Sequence, residues 1–149
     1  MNRKQAMSNE SISGEEFRRE VQEAAISLES HGFQRAAQFD SMTPTTASVV
    51  YVGQNIAFEF TFDLRDQAID LVVTRYRDGK LSAFGDGGYS SSLFTHLLNR
   101  CGFRGRPSPG ANLPPTASKA QRQLASLLNL LAQPCSANLL ADRADALPQ

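Results

Sequence analysis

The sequence predicts an α+β fold: an antiparallel β-meander of three to five strands with helices packed on one face. Three observations predict it. Ile56, Phe58, Phe60 and Phe62 alternate with Ala57, Glu59, Thr61 and Asp63, the period of two that places one apolar row on one strand face. Ile69, Leu71 and Val73 form a second row a short turn later. On both sides of these rows lie stretches whose apolar residues recur at helical spacing, and an aromatic-rich sheet face needs such a cover.

The two rows set the register. Directly opposed residues share a face, so the connecting loop holds an even number of residues. A two-residue loop, Leu64-Arg65, needs positive φ at residues that resist it and sets Glu59 against Asp70. A four-residue loop from Leu64 to Gln67, built on a type I turn, pairs Phe62 with Ile69, Phe60 with Leu71 and Phe58 with Val73. The other face then pairs Thr61 with Asp70 and Glu59 with Val72.

Residues 1–12 are polar and expected to be disordered. Ser13-Gly14-Glu15-Glu16 is a capping box, in which Ser13 accepts from the Glu16 amide and Glu16 reaches back. The helix that follows carries Phe17, Val21, Ala24, Ala25 and Leu28 on one stripe and stops at Gly32. His31 sits in its last turn, where a cation suits the helix dipole. Phe33–Phe39 is read as a short strand, Asp40–Thr46 as a loop, and Ala47–Val52 as a β-branched strand. Val52-Gly53-Gln54-Asn55 turns the chain into the central hairpin. Asp78-Gly79 is a hairpin signal, so Leu81–Phe84 pairs back.

Phe84 to Ser92 is glycine- and serine-rich. A phosphate loop needs a following Lys and a different glycine spacing, so the reading is a strand-to-helix loop ending in serine N-caps. A second helix carries Leu93, Phe94, Leu97, Leu98 and Cys101 and ends at Gly102, with His96 beside the apolar face and partly exposed. Phe103–Pro115 has no periodicity; Arg100, Arg104 and Arg106 gather at its start. A third helix begins near Thr116 or Ser118, bears Leu124, Leu127, Leu128 and Leu131, and stops before Pro134. A single domain is thus expected over 13–133, followed by a tail over 134–149 that packs as a short turn or dangles.

Composition narrows the classes. A chain of 149 residues, 41% hydrophobic and 20% charged, suits one core. The formal charge is zero, yet residues 1–80 hold twelve acids and nine bases whereas 81–149 hold three and six. Dense Lys/Arg clustering with interleaved aromatics, the mark of a nucleic-acid surface, is missing. No run approaches the roughly 18 apolar residues that span a bilayer. The polar start lacks a signal-like apolar stretch. A cytoplasmic protein is therefore expected, with Cys101 and Cys135 reduced. Neither of the two histidines belongs to a triad or a metal-ligand spacing, and no His-Glu-x-x-His, Gly-x-Ser-x-Gly or Cys-x-x-Cys occurs. No catalytic residue, cofactor or metal ligand is assigned.

Several phrases together carry a resemblance. Phe33 enters after a capped helix, a strand ends in Phe62-Asp63-Leu64-Arg65-Asp66, and Asp78-Gly79-Lys80-Leu81 follows. Gly87-Gly88-Tyr89-Ser90 then leads into Leu97-Leu98 and Cys101-Gly102-Phe103-Arg104-Gly105. Over residues 15–106 the chain resembles small bacterial α+β proteins of unassigned function, some of which serve as immunity proteins in toxin–immunity pairs. The resemblance implies a non-enzymatic protein-binding module that sterically blocks a cognate toxin. The partner face expected for it comprises Glu59, Thr61, Asp63 and Asp70 on the solvent side of the hairpin, Arg65 and Asp66 at its turn, and Tyr76 and Arg77 at the edge. Two other readings stand beside it. One is a secretion chaperone that holds an effector segment in apolar grooves, with the third helix offering a homodimer surface. The other is a small ligand-binding domain or enzyme that uses the loop 84–92.

Overall fold

The computed structural model of the chain describes residues 11–85, 87–102 and 113–148. Its helices are Gly14–Ala24 (α1), Ile26–Ser30 (α2), Leu93–Cys101 (α3), Lys119–Leu131 (α4) and Ala137–Leu140 (α5). Its strands are Gln34–Arg35 (β1), Ser41–Met42 (β2), Thr46–Val52 (β3), Ile56–Asp63 (β4), Ala68–Arg77 (β5), Lys80–Ser82 (β6) and Ser90–Ser92 (β7). All pair antiparallel. The expected meander is β3-β4-β5-β6. Short β1 and β2 share the outer edge of β3, and β6 and β7 share the outer edge of β5. The strand expected over Leu81–Phe84 is β6, Lys80–Ser82; β2 and β7 were not anticipated, because strands of two or three residues are too short to show a period.

The hairpin register is the one the four-residue loop dictates: Phe62 opposes Ile69, Phe60 opposes Leu71, Phe58 opposes Val73, and Thr61 opposes Asp70. Gln67 closes that loop at φ 51°. Its side chain accepts from the Ile12 amide at 2.8 Å and donates to the Leu64 carbonyl at 2.7 Å. From α4, Gln123 donates to the Gln67 carbonyl and accepts from the Ile69 amide, both at 2.8 Å. Two glutamines thus fix a turn that non-glycine residues resist. Residues 1–10 of the stretch read as disordered lie outside the described residues; Ile12 packs against the core.

The inner face of the sheet is covered by α1 and α4. The Ser13 capping box starts α1, and Ser118 with Gln121 forms a second one for α4. Phe17 stacks on Phe62 with ring centroids 4.8 Å apart, and Phe33 meets Phe58 at 5.0 Å. Phe58, Phe60, Phe62, Leu71 and Val73 are essentially sealed from solvent. Gly32, at φ 94°, ends the first helical stretch, and the Phe33 amide returns to the Leu28 carbonyl at 3.1 Å. The Phe33–Phe39 segment is a two-residue strand and then a single 3-10 turn, Ala37–Phe39. Two alanines leave it too little β-propensity to stay extended.

Two expectations are overturned by the packing of the C-terminal half. Cys101 and Cys135 are paired in a disulfide, with Cα atoms 6.3 Å apart, inside the usual range. Sequence separation hid this, because the pairing depends on where α4 delivers the chain. His96 is not partly exposed but 2% exposed. Of the two alternatives for segment 134–149, the described residues take the packed one, as short helical turns. Leu139, Ala146 and Leu147 are core residues, and the Asp142 carboxylate accepts from the amides of Gln54, Asn55 and Ile56. The Asn55 side chain donates to the Asp142 carbonyl at 2.8 Å. A Cβ at Gly53 would collide with that carboxylate, so the turn needs glycine there.

The cystine closes a loop across a separation of 34 residues. Replacing both cysteines by serine is expected to lower urea stability by about 3–4 kcal/mol relative to the oxidised protein. The reduced wild type should match the variant. Equal stability of variant and oxidised wild type would show that the pair is not bonded in solution.

Candidate functional site

Because β4 and β5 alternate strictly, the residues opposite the aromatic row form the outer face. On it Ser48, Thr61 and Asp70 lie in one cross-strand row, and Thr46, Asp63 and Ala68 in the next. Glu59 lies between Val50 and Val72. A groove of about 590 Å³ runs over these rows, and its rim includes Ser41 of β2. The Ser41 and Ser48 hydroxyls are 2.8 Å apart. Glu59, Asp63 and Asp70 give the groove three carboxylates, no basic side chain lines it, and among the described residues none of the three is in an ion pair. Glu59 and Asp63 are half-buried and Asp70 is exposed.

Local bonds hold these groups in place. The Asp63 carboxylate accepts from the Asp66 amide at 2.9 Å, which ties it to the hairpin turn. The Asp70 carboxylate accepts from the next amide, that of Leu71, at 2.8 Å. Among the described residues, no cluster of three or more His, Cys, Asp or Glu could hold a metal. The arrangement is therefore an acidic, hydroxyl-lined furrow suited to cationic side chains.

The structure brings Glu59, Thr61, Asp63 and Asp70 into this groove and leaves Arg65 and Asp66 exposed on the hairpin turn, outside its lining. It does not bring Tyr76 and Arg77 there. Six residues of strand separate Tyr76 from Asp70, about 20 Å. Tyr76 is instead half-buried in a second small cluster around Ala36, Val50 and Ala57, edge-on to Phe39 at 6.1 Å. The Tyr76 end of the outer face is thus covered by the chain itself. Ser48 was legible, since it alternates with Ala47 and Val49. Ser41 was not, because it lies in a stretch read as loop and only its pairing with Ser48 places it.

The remaining chemistry-bearing groups lie elsewhere. In loop 84–92 the Gly88 amide is bonded to the Gly85 carbonyl and the Tyr89 amide to that of Ser82, so neither amide is free for phosphate. Asp86 lies outside the described residues, as do Arg104 and Arg106 of the arginine-rich loop. Ser92 caps α3 by accepting from Thr95. Tyr89 meets Nδ1 of His96 at 2.5 Å. A polar cavity of about 180 Å³ is lined by His96, Arg100, Asn138 and the cystine, without Tyr89. Burial first, and Arg100 second, hold the His96 pKa below the ordinary histidine value; burial raises that of Tyr89.

Comparison of the chain with protein-family models, characterised proteins and solved structures finds no match. The class is defined by the fold alone: an α+β protein with an antiparallel sheet. Among the described residues no helix is long and apolar enough to cross a membrane.

The His96 shift has a pH consequence. With its folded pKa below the unfolded one near 6.5, the unfolded chain binds more protons as pH drops. The stability from neutral His96 is complete above about pH 6.5 and falls away below it, down to the folded pKa. Thermal melts between pH 7.5 and 5.5 should show this decline, and His96→Gln should flatten it. An equal slope in both proteins would contradict the assignment.

Proposed function

We propose that this chain is a protein-binding module of immunity type, which acts sterically by seating a basic surface of a cognate toxin in the acidic groove of the outer sheet face. The observation that supports the reading is the meeting of Glu59, Asp63 and Asp70 in one groove without a basic residue. Carboxylates so arranged attract a cationic partner from a distance and select against acidic ones. Enzymes that cut polyanions carry such basic surfaces, and covering one blocks substrate without any chemistry in the inhibitor. The rigid sheet, locked below by its aromatic row, keeps the groove preorganised. Arg65 and Asp66 at the turn supply rim contacts. The Cys101–Cys135 cystine favours an oxidising compartment over the cytoplasm read from the sequence.

A second reading, the chaperone, is favoured by one separate observation. Ala24, Leu124, Ala125 and Leu128 line an apolar groove of about 370 Å³ between α1 and α4, beside Leu113 and Pro114. A helical effector segment, or a second copy of the chain, fits such a groove.

Capture from the native host followed by mass spectrometry, run with variants, separates the two. The double variant Glu59→Lys/Asp70→Lys should keep its fold and lose affinity for the captured partner by roughly 100-fold at low salt. The wild-type complex should also weaken as salt rises. Unchanged capture by the double variant, with loss instead in Leu128→Glu, would replace the immunity reading by the chaperone one.

A further inference from the structure

Arg75 occupies an unusual position. It faces the same side of β5 as Ile69, Leu71 and Val73, opposite Ile56, and is 3% exposed. Its guanidinium donates to the Pro148 carbonyl, and its buried Nε has no hydrogen-bond partner. Among the described residues no carboxylate forms an ion pair with Arg75 or with Arg77. A buried charge without a counter-charge is costly, and natural proteins pair such groups or bind ions with them.

A counter-charge has room to enter. Arg75 and Arg77 line a polar cavity of about 200 Å³ between the end of β5 and the C-terminal segment, with Asn55 and Asp78 also on its wall. At about 30 Å³ per water, that volume holds a phosphate-sized group with some of its hydration. Asp78 offsets one of the two guanidinium charges, which leaves the cavity net positive. Arg77, the exposed member, is bounded on one side by Gly87, where a Cβ would lie 2.8 Å from its Nη1. Burial, and then repulsion from Arg77, pushes the Arg75 pKa below the usual arginine value.

We propose that this cavity is a binding site for a small oxyanion of the carboxylate or phosphate class, with Arg75 at its floor and Arg77 at its lip as the guanidinium ligands. Planar guanidinium forks suit both anions, and charge-assisted bonds inside a walled cavity outlast those on an open surface. The site is independent of the acidic groove, since it sits at the other end of β5.

Calorimetric titration of the full oxidised chain tests this with inorganic phosphate and, separately, with acetate, at low ionic strength. The expected result is saturable binding of at least one anion, weakened roughly tenfold or more in Arg77→Gln and partly restored in Arg77→Lys. The anion should also raise the Tm of the wild type and not that of Arg77→Gln. Tighter phosphate than acetate assigns a tetrahedral dianion, and the reverse assigns a carboxylate. Absence of binding to the wild type, or equal binding by Arg77→Gln, overturns the proposal.

Discussion

The pairing of β4 with β5 through a loop of even length is the constraint on which the rest depends. A one-residue slip of β4 would turn Phe58, Phe60 and Phe62 to solvent and drive Glu59 and Thr61 into the core. Burial of apolar area favours the observed register by roughly 1.5–3 kcal/mol for each large side chain that it seals. The turn itself is less forgiving than its length suggests, because Gln67 must adopt positive φ. Its side chain and that of Gln123 offset this strain by satisfying backbone groups of Ile12, Leu64 and Ile69. The N-terminal entry, the hairpin turn and α4 are therefore one hydrogen-bonded unit, and α1 and α4 are held over the aromatic row from both sides.

The C-terminal segment completes the opposite end. Asp142 does for the β3–β4 turn what the glutamines do for the β4–β5 turn: one carboxylate satisfies three consecutive backbone amides. Leu139 and Leu147 extend the core, and the Cys101–Cys135 bond ties the end of α3 to the turn from which this segment starts. The strap also walls the cavity that holds Arg75. Strand β5 thus runs from an acidic end at Asp70 to an arginine end at Arg75 and Arg77. Two polar cavities of opposite charge are separated by the length of one strand.

Local patterns in the sequence made a large part of this legible. The alternation of Phe58, Glu59, Phe60 and Thr61 gave strand, face and register together, and Ser13-x-x-Glu16 gave the start of α1. The outer-face carboxylates followed from the same alternation. What stayed hidden depends on contacts between distant segments. Cys101 and Cys135 carry no local sign of pairing. His96 is adjacent to an apolar stripe and reads as marginal until the C-terminal segment covers it. Leu139 and Leu147 lie in a stretch with no period, because short helices and 3-10 turns leave none. Tyr76 is the instructive case: it was read as a partner contact at the sheet edge, and no local pattern tells that Phe39 returns to cover it.

The central claim is that this sheet has one sealed face and one face of accessible carboxylates. Covalent footprinting of the native protein, read residue by residue by mass spectrometry, tests both halves in one sample. Carbodiimide labelling should modify Glu59, Asp63 and Asp70, while hydroxyl radicals should leave Phe58, Phe60 and Phe62 unoxidised until denaturant unfolds the chain. Oxidation of those phenylalanines under native conditions, or carboxylates that resist labelling, would contradict the account.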